Sequence, residues 1–352
     1  MGIKKVVIKP LEPLMLRSQG EFEPLITGSH TAAQSLIIPR PSTIAGMLGY
    51  IKFNNGGIKD NNGGIKEDWL TTLTHQLEDV NIYGTLVESN ESYFYPLRMG
   101  NLFALIDSNT LCSLPKIFES TGESYEKWEK EIYDIFYSEK NKLFELINFQ
   151  DRVGISLDRQ KKIVKEHYLY TARYLSFKKE VNYVIFVEGN LNLKGNDGKT
   201  NEIVVNFGGE GRVVKIEVQD HCDVRAKDLS GDYYLALSPI LIPDCIIDDI
   251  LEDDLIVMGK VDKISLGFDI AHHRRKEMLT AILEGSVIKK DLVEKYNDLA
   301  KKYNIVASSN PNGKIFLDYE KIGYNTISKV DCSKLEVRKI LTKEREEDGK
   351  PL

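Results

Sequence analysis

The sequence predicts an α+β fold, and three observations carry that expectation. The first half of the chain alternates short apolar runs of strand character with amphipathic helical patterns. In the second half the runs are mostly strand-like and helical patterns are few. With 352 residues and 42% hydrophobic content, the chain can bury a substantial core and is long enough for two domains of ordinary size.

Ile3 to Ile8 opens the chain as a strand, after which Pro10 and Pro13 keep the backbone extended or turning. Following a loop, Pro41 and Ser42 precede Ile44, Met47, Leu48 and Ile51, whose spacing lines four apolar side chains along one helical stripe. Ser42 or Thr43 is the expected N-cap. Ala45, Gly46 and Gly49 leave another side of this helix nearly bare, so that a sheet or a backbone can approach closely. The tandem unit NNGGIK, at 54–59 and again at 61–66, is too short for a structural repeat and reads as an expanded surface turn.

Asp68 to Leu77 returns to helix with Leu70, Leu73 and Leu77 aligned, and Val80 to Val87 and Tyr93 to Leu97 read as a pair of strands. Ser124 to Phe149 is a charged helical insertion carrying Trp128, Ile132 and Ile135, and a domain boundary is expected near Asp151. Beyond it, Val181 to Val187, Ile203 to Phe207, Val213 to Val218 and Tyr233 to Leu237 are strand-like. Lys289 to Tyr303 places Leu292, Tyr296, Leu299 and Tyr303 on one helical stripe, while the final KEREEDGKPL is too polar to bury.

Charge and motifs narrow the function. A net charge of −6 argues against a surface that grips phosphates everywhere, so any nucleic-acid contact must be local. Basic clusters occur at Arg159 to Lys165, at Lys178 and Lys179, and at His272 to Lys276, each of which also reads as an ordinary solvated face. No apolar run has the length of a bilayer span and the N-terminus lacks the apolar block of a signal peptide, so the expected setting is the cytoplasm, with no membrane partner. Cys112, Cys222, Cys245 and Cys332 are far apart and form no CxxC pair, so neither a disulfide framework nor a zinc knuckle is expected. Without a GxxxxGK[ST], G-x-S-x-G or HExxH motif, no cofactor or metal is expected either.

Four segments, taken in order, carry a family resemblance. The first is Pro10, Pro13, Leu16, Arg17, Gly20 and Phe22 leading into IPRPSTIAGMLGY at Ile38 to Tyr50. The second is RVGISLDRQKKIVKEHYLY at Arg152 to Tyr170, in which His167 and Tyr168 stand where a glycine usually precedes the Leu-Tyr step. The third is FGGEGRVVKIEV at Phe207 to Val218, and the fourth is GFDIAHHRRKEMLTAILEGSVI at Gly267 to Ile288, followed by IGYN at Ile322 to Asn325. Together they resemble the Cmr-type RAMP family of type III-B CRISPR effector complexes, in particular the subunit that binds the 5′ handle of the guide RNA.

The resemblance implies two ferredoxin-like modules of the βαββαβ kind, related to the RNA recognition motif, packed together with helical and loop insertions. The N-terminal module is expected at 1–150, the C-terminal module at 151–342 and a polar tail at 343–352. It also implies a subunit that binds RNA without cutting it. Its partners are then the guide RNA, the large polymerase-like subunit of the complex and a neighbouring RAMP backbone subunit.

Given that role, particular residues become candidates. Gly208, Gly209 and Gly211 allow successive backbone N–H groups to approach a phosphate, and Arg212 supplies a planar cation that forks onto phosphate or stacks beneath a base. Glu210 opposes phosphate unless it pairs with Arg212 or accepts from a base or a 2′-OH. Without the resemblance, the same residues read as a hairpin turn beside a surface arginine. Arg274, Arg275 and Lys276 gather cations on one edge, and Arg17, Arg40, Ser42 and Thr43 combine cations with the free N–H groups of a helix start, where plain capping by Ser42 is an equal reading. Two other classes stay open: a metal-independent guide-RNA processing endonuclease, with His30 or His221 as acid or base, and a scaffold that binds only protein.

Overall fold

The computed structural model describes residues 3–17, 35–54, 69–119, 125–158, 163–191, 193, 202–220, 224–226, 231–269, 274–305, 311–330 and 335–341. At 125–126, 154–158, 163–170, 225–226, 268–269 and 311–315 it describes the backbone alone. The NNGGIK units beyond Asn54, the polar tail, and His30, His221, His272 and His273 lie outside these residues.

Strand β1 (Ile3–Pro10) is followed by helices α1 (Pro41–Asn54) and α2 (Trp69–Gln76), then by β2 (Val80–Ser89), β3 (Ser92–Met99) and β4 (Leu102–Ile106). Helices α3 (Ser108–Glu119) and α4 (Tyr125–Leu146) lead into a long hairpin of β5 (Ile147–Asp158) and β6 (Ile163–Phe177). After it come β7 (Val181–Gly189), β8 (Glu202–Asn206) and β9 (Val213–Gln219). The strands outside the hairpin form one antiparallel sheet in the order β4-β3-β2-β7-β1-β9-β8.

The chain continues through β10 (Arg225–Ala226), β11 (Tyr233–Ala236), β12 (Ile240–Ile242), α5 (Ile247–Leu251), β13 (Ile256–Met258), β14 (Val261–Ser265), β15 (Phe268–Asp269) and β16 (Arg274–Arg275). It ends with β17 (Met278–Ile282), β18 (Val287–Lys289), α6 (Lys290–Lys302), α7 (Pro311–Lys321), β19 (Thr326–Lys329) and β20 (Glu336–Lys339). A second sheet runs β10-β20-β19-β11-β18-β13, antiparallel except for β10 with β20. A smaller antiparallel sheet, β12-β17-β14, stands beside it. The fold is therefore α+β with several antiparallel sheets. The first sheet takes its strands from residues 3–219 and the second from 225–339, so the boundary expected near Asp151 falls within the span of the first.

Why these residues pack this way is clearest at β7. Tyr183, Ile185 and Val187 turn to one face and join Val6, Ile8, Ile44 and Leu48 in a core beneath α1. Val184 and Phe186 turn to the other face and join Leu235, Leu237 and Val287 of the second sheet. Burial on both faces explains the nearly continuous apolar run. On α1, the expected stripe of Ile44, Met47, Leu48 and Ile51 is buried, each such side chain stabilising the fold by about 1.5–3 kcal/mol. Its bare side does admit a neighbour at Gly49, where a Cβ would lie 2.6 Å from the Leu73 side chain of α2, whereas Gly46 faces open space.

Several local readings differ. Helix α1 starts at Pro41, with the Arg40 carbonyl accepting from the N–H groups of Thr43 at 2.9 Å and Ile44 at 3.3 Å, so neither Ser42 nor Thr43 is its N-cap. Helix α3, with Pro115 inside it, has no clear counterpart in the sequence pattern. It is started by Asp107, whose carboxylate accepts from the Thr110 N–H at 2.8 Å. At the end of the α6 stripe Tyr303 is exposed, because the helix has stopped at Lys302. Cys112 is disulfide-bonded, with its partner outside the described residues, and Cys245 is free and exposed. That corrects the expectation of unbridged thiols. A bridge requires two Cα atoms within roughly 7 Å, which the fold decides and spacing in the chain does not.

Candidate nucleic-acid interface

Residues 11–17 leave β1 as a strap that clips two distant parts of the chain together. Leu14 exchanges two backbone hydrogen bonds of 2.8 Å with Leu175 of β6, and the Met15 carbonyl accepts from the Gly209 N–H at 2.8 Å. At the strap's end Arg17 bridges Ser35, whose hydroxyl donates to the Arg173 carbonyl at 2.6 Å. Leu14, Met15 and Leu16 are buried beneath, while Arg17 is exposed.

The turn at 208–212 is shaped by this strap. Gly208, Glu210 and Gly211 have φ of 77°, 59° and 65°, and the Phe207 N–H donates to the Arg212 carbonyl at 2.6 Å. A Cβ on Gly208 would lie 2.6 Å from the Met15 carbonyl oxygen. Glycine is thus required there for an approach to the protein's own backbone, and the Gly209 N–H is already engaged by Met15. Gly211 faces open space.

Arg212 is the centre of a polar cluster. One of its Nη atoms lies 2.8 Å from Glu12 and the other 3.8 Å from Glu210, so the pairing that would reconcile Glu210 with an anion site is present. Its guanidinium sits 4.7 Å from the centroid of Tyr174, whose hydroxyl donates to Glu210, and Arg152 sits 4.9 Å from the same ring. Two guanidiniums therefore lie against the ring of Tyr174, which is itself buried. Beside it, Arg173 makes a two-pronged pair with Asp151 at 2.8 and 3.0 Å and lies 5.7 Å from the Phe149 ring. The Arg212 hydrogen bond holds the Glu12 carboxyl below its ordinary range, and Arg173 does the same for Asp151. Burial, reinforced by Glu210, pushes the Tyr174 hydroxyl up.

The sequence had named Arg17, Gly208, Gly209, Gly211 and Arg212 for this region but not Arg152, Arg173, Tyr174 or Glu12. The aromatic and basic residues Tyr170, Arg173 and Tyr174 close together on β6 were the available signal. Pairing of Gln150 with Tyr174 and Asp151 with Arg173 across the hairpin supplies the rest.

The other expected residues lie elsewhere. Arg40, half-buried, turns inward to Glu284 at 2.8 Å, and Ser42, which is buried, donates to the Leu266 carbonyl at 3.3 Å and accepts from Tyr324 at 3.3 Å. Both are committed to joining α1 to the second half of the chain, which corrects the reading of this helix start as an anion site; Thr43 is half-buried. Arg274 and Arg275 are exposed on β16, paired with Asp269 and Phe268. Lys276 covers the Trp69 ring of α2 at 3.5 Å. Among the described residues, no group of three or more His, Cys, Asp or Glu is placed to hold a metal, and no helix is long and apolar enough to cross a membrane.

The family model for CRISPR-associated protein (Cas_Cmr3) matches residues 6–100 and 127–231, which include the strap, the base of the hairpin and the 208–212 turn. Over 343 residues the chain is 56% identical to the CRISPR system CMR subunit Cmr3 of Saccharolobus solfataricus, covering 97% of this chain and 100% of that protein. The chain belongs to the Cmr3 family. Among solved structures, this Cmr3-family chain is similar to one in the cryo-EM structure of type III-B Cmr-beta bound to cognate target RNA and AMPPnP. That match has a TM-score of 0.79 and 52% identity, and covers 96% of this chain and all of that one. A chain in Cmr-beta bound to cognate target RNA alone matches with the same TM-score, 55% identity and the same coverage.

Proposed function

We propose that this Cmr3-family chain is a non-catalytic RNA-binding subunit of a cytoplasmic type III-B interference complex. It holds the 5′ handle of the guide RNA, docks to the large polymerase-like subunit and abuts a neighbouring RAMP backbone subunit. Its likeness along nearly its whole length to chains of RNA-bound Cmr-beta supports membership of such an assembly. The observation that carries the RNA site is the gathering of Arg152 and Arg212 at the buried Tyr174 ring, with Arg17 exposed at the end of the adjoining strap. Guanidinium planes fork onto phosphates and stack against unstacked bases, and the ring beneath holds these two in place. Arg274, Arg275 and Lys276 form a second, separate cationic edge on the same reading.

The strand orders support two ferredoxin-like modules. In the first sheet β2-β7-β1-β9 follows the order 2-3-1-4 of a βαββαβ unit, with β3 to β6 and their helices inserted. In the second, β19-β11-β18-β13 follows the order 4-1-3-2, with α5 and the α6–α7 pair in the two crossovers. The modules are then best divided between Gln219 and Arg225. The test of the RNA site is Arg212→Ala in the assembled complex: handle-RNA affinity falls and the logarithmic salt dependence flattens by about one unit. Unchanged affinity and slope would favour the protein-only scaffold.

A further inference from the structure

The strap is fastened along its length by its own residues: Glu12 takes Arg212, Leu14 pairs with Leu175, and the Met15 carbonyl receives the Gly209 N–H. Its far end is fastened differently. The Leu16 carbonyl accepts from the Leu36 N–H at 2.6 Å and Arg17 bridges Ser35, so residues 16–17 and 35–36 form a short antiparallel pair. The link from this pair to β6 is the Ser35 hydroxyl, which accepts from the Leu16 N–H at 3.2 Å and donates to the Arg173 carbonyl at 2.6 Å. A hydroxyl donates and accepts at once, so a single atom joins the strap, the 35–36 segment and β6 at the residue before Tyr174.

The two sides of the strap decide what its end presents. In an extended segment alternate residues share a side. Leu14 and Leu16 belong to the core beneath α1, whereas Met15 packs with Ala172 and Tyr174. Arg17 follows Met15 in this alternation, so it emerges, exposed, on the side where Arg152 and Arg212 lie against the Tyr174 ring. Its backbone is held there by its bridge to Ser35.

We infer that Ser35 is a positioning residue of the RNA site: its hydroxyl sets the strap end against β6, so that the Arg17 guanidinium shares one phosphate-binding edge with Arg152 and Arg212. This rests on reading the Arg152–Arg212 cluster as the RNA site. An exposed arginine adds most to binding when its backbone is already held, because freedom left in the chain must be given up when the ligand arrives. Alanine at position 35 leaves the Leu16 N–H and the Arg173 carbonyl without this partner and releases the strap end. Threonine keeps the hydroxyl.

The test is a double-mutant cycle in the assembled complex with handle RNA, comparing Ser35→Ala, Arg17→Ala, the double variant and Ser35→Thr with the wild type over a series of salt concentrations. Ser35→Ala is expected to weaken binding roughly three- to tenfold and to flatten the logarithmic salt dependence by up to about one unit, toward that of Arg17→Ala. The double variant should bind no more weakly than Arg17→Ala, and Ser35→Thr should restore affinity and slope. If the alanine variant does not assemble, Ser35→Cys reads the same loss, since a thiol fills the space but bonds poorly. A hydroxyl that serves stability alone would lower the unfolding temperature and leave the slope as in the wild type; that result, or effects of the two substitutions that simply add, overturns the inference. If Arg17→Ala binds like the wild type while Arg212→Ala loses affinity, the strap end lies off the RNA path, and the inference fails with the handle site intact. Unchanged binding in both arginine variants refutes the RNA site itself, and the inference with it.

Discussion

Arg212 and Arg40 looked equivalent in the sequence, each a cation beside a motif of small or polar residues. The fold separates them. Arg212 is held at a half-exposed junction by Glu12 and stacked on Tyr174, whereas Arg40 is drawn into the interior with Arg98 on either side of Glu284. The Glu12 carboxylate occupies the guanidinium much as a phosphate oxygen would. Glu12→Gln keeps an acceptor for the Val213 N–H, which Glu12 now receives at 2.9 Å, but removes the competing charge. RNA affinity of the complex should rise a few-fold at low salt in filter binding, with a steeper salt dependence. At Glu284, which is buried, neutralisation leaves two largely covered guanidiniums without this counter-charge, so Glu284→Gln should lower unfolding stability in denaturant by about 3–5 kcal/mol. Arg40→Met should likewise destabilise without altering the salt dependence of RNA binding.

At the scale of elements, the 208–212 turn and the strap form one unit, which is why the glycines there are not interchangeable. Gly208→Ala places a Cβ against the Met15 carbonyl at a φ of 77° and should cost about 1–3 kcal/mol, loosening the strap. Gly211→Ala has the same handedness of backbone but open space around it, so roughly 1–2 kcal/mol is expected. Thermal unfolding of the two variants should rank them in that order, and equal shifts would show that the strap exerts no pressure on the turn. The long helix α4 was legible from Trp128 and Ile132, and α1 from its apolar spacing. Helix α3 was not, since Pro115 and a run of Ser, Asn and Thr conceal a helix that Asp107 caps and packing completes.

Across the whole molecule, the two sheets are joined by polar groups as well as by apolar ones. Lys339 of β20 reaches between them, donating to the Ile82 carbonyl at 2.5 Å in the first sheet and to the Thr326 hydroxyl at 3.0 Å in the second, with the Tyr324 carbonyl at 3.2 Å. Burial pushes its ammonium down to about 7, against the pull of Glu320. In the unfolded chain a lysine titrates near 10.4. Between about pH 7 and 10 the unfolded state therefore binds more protons than the folded one, and this group makes stability rise with pH across that window. Denaturant unfolding of Lys339→Met against the wild type should show that the rise is lost in the variant; parallel profiles would mean that the lysine is solvated. Nearby, Gly323 brings its backbone so close to Pro41 that a Cβ would lie 3.2 Å away, and Tyr324 bonds to Ser42. The segments Ile38–Tyr50 and Ile322–Asn325, which helped to mark the family, thus meet each other inside the protein.

The sequence by itself determined the α+β class, most strands and the principal helices, because apolar periodicity records which face of each element is buried. It also carried the family, through motifs read together, and the acidic balance that makes RNA recognition local. The tertiary structure alone showed that β7 and β9 return to pair on either side of β1 across more than a hundred and fifty residues of sequence. It alone showed that Arg40 and Ser42 are committed to contacts within the protein and that Tyr174 brings Arg152 to Arg212. A side chain's role depends on what pairs with it, and those partners lie 244 residues away for Arg40 and Glu284 and 282 for Ser42 and Tyr324.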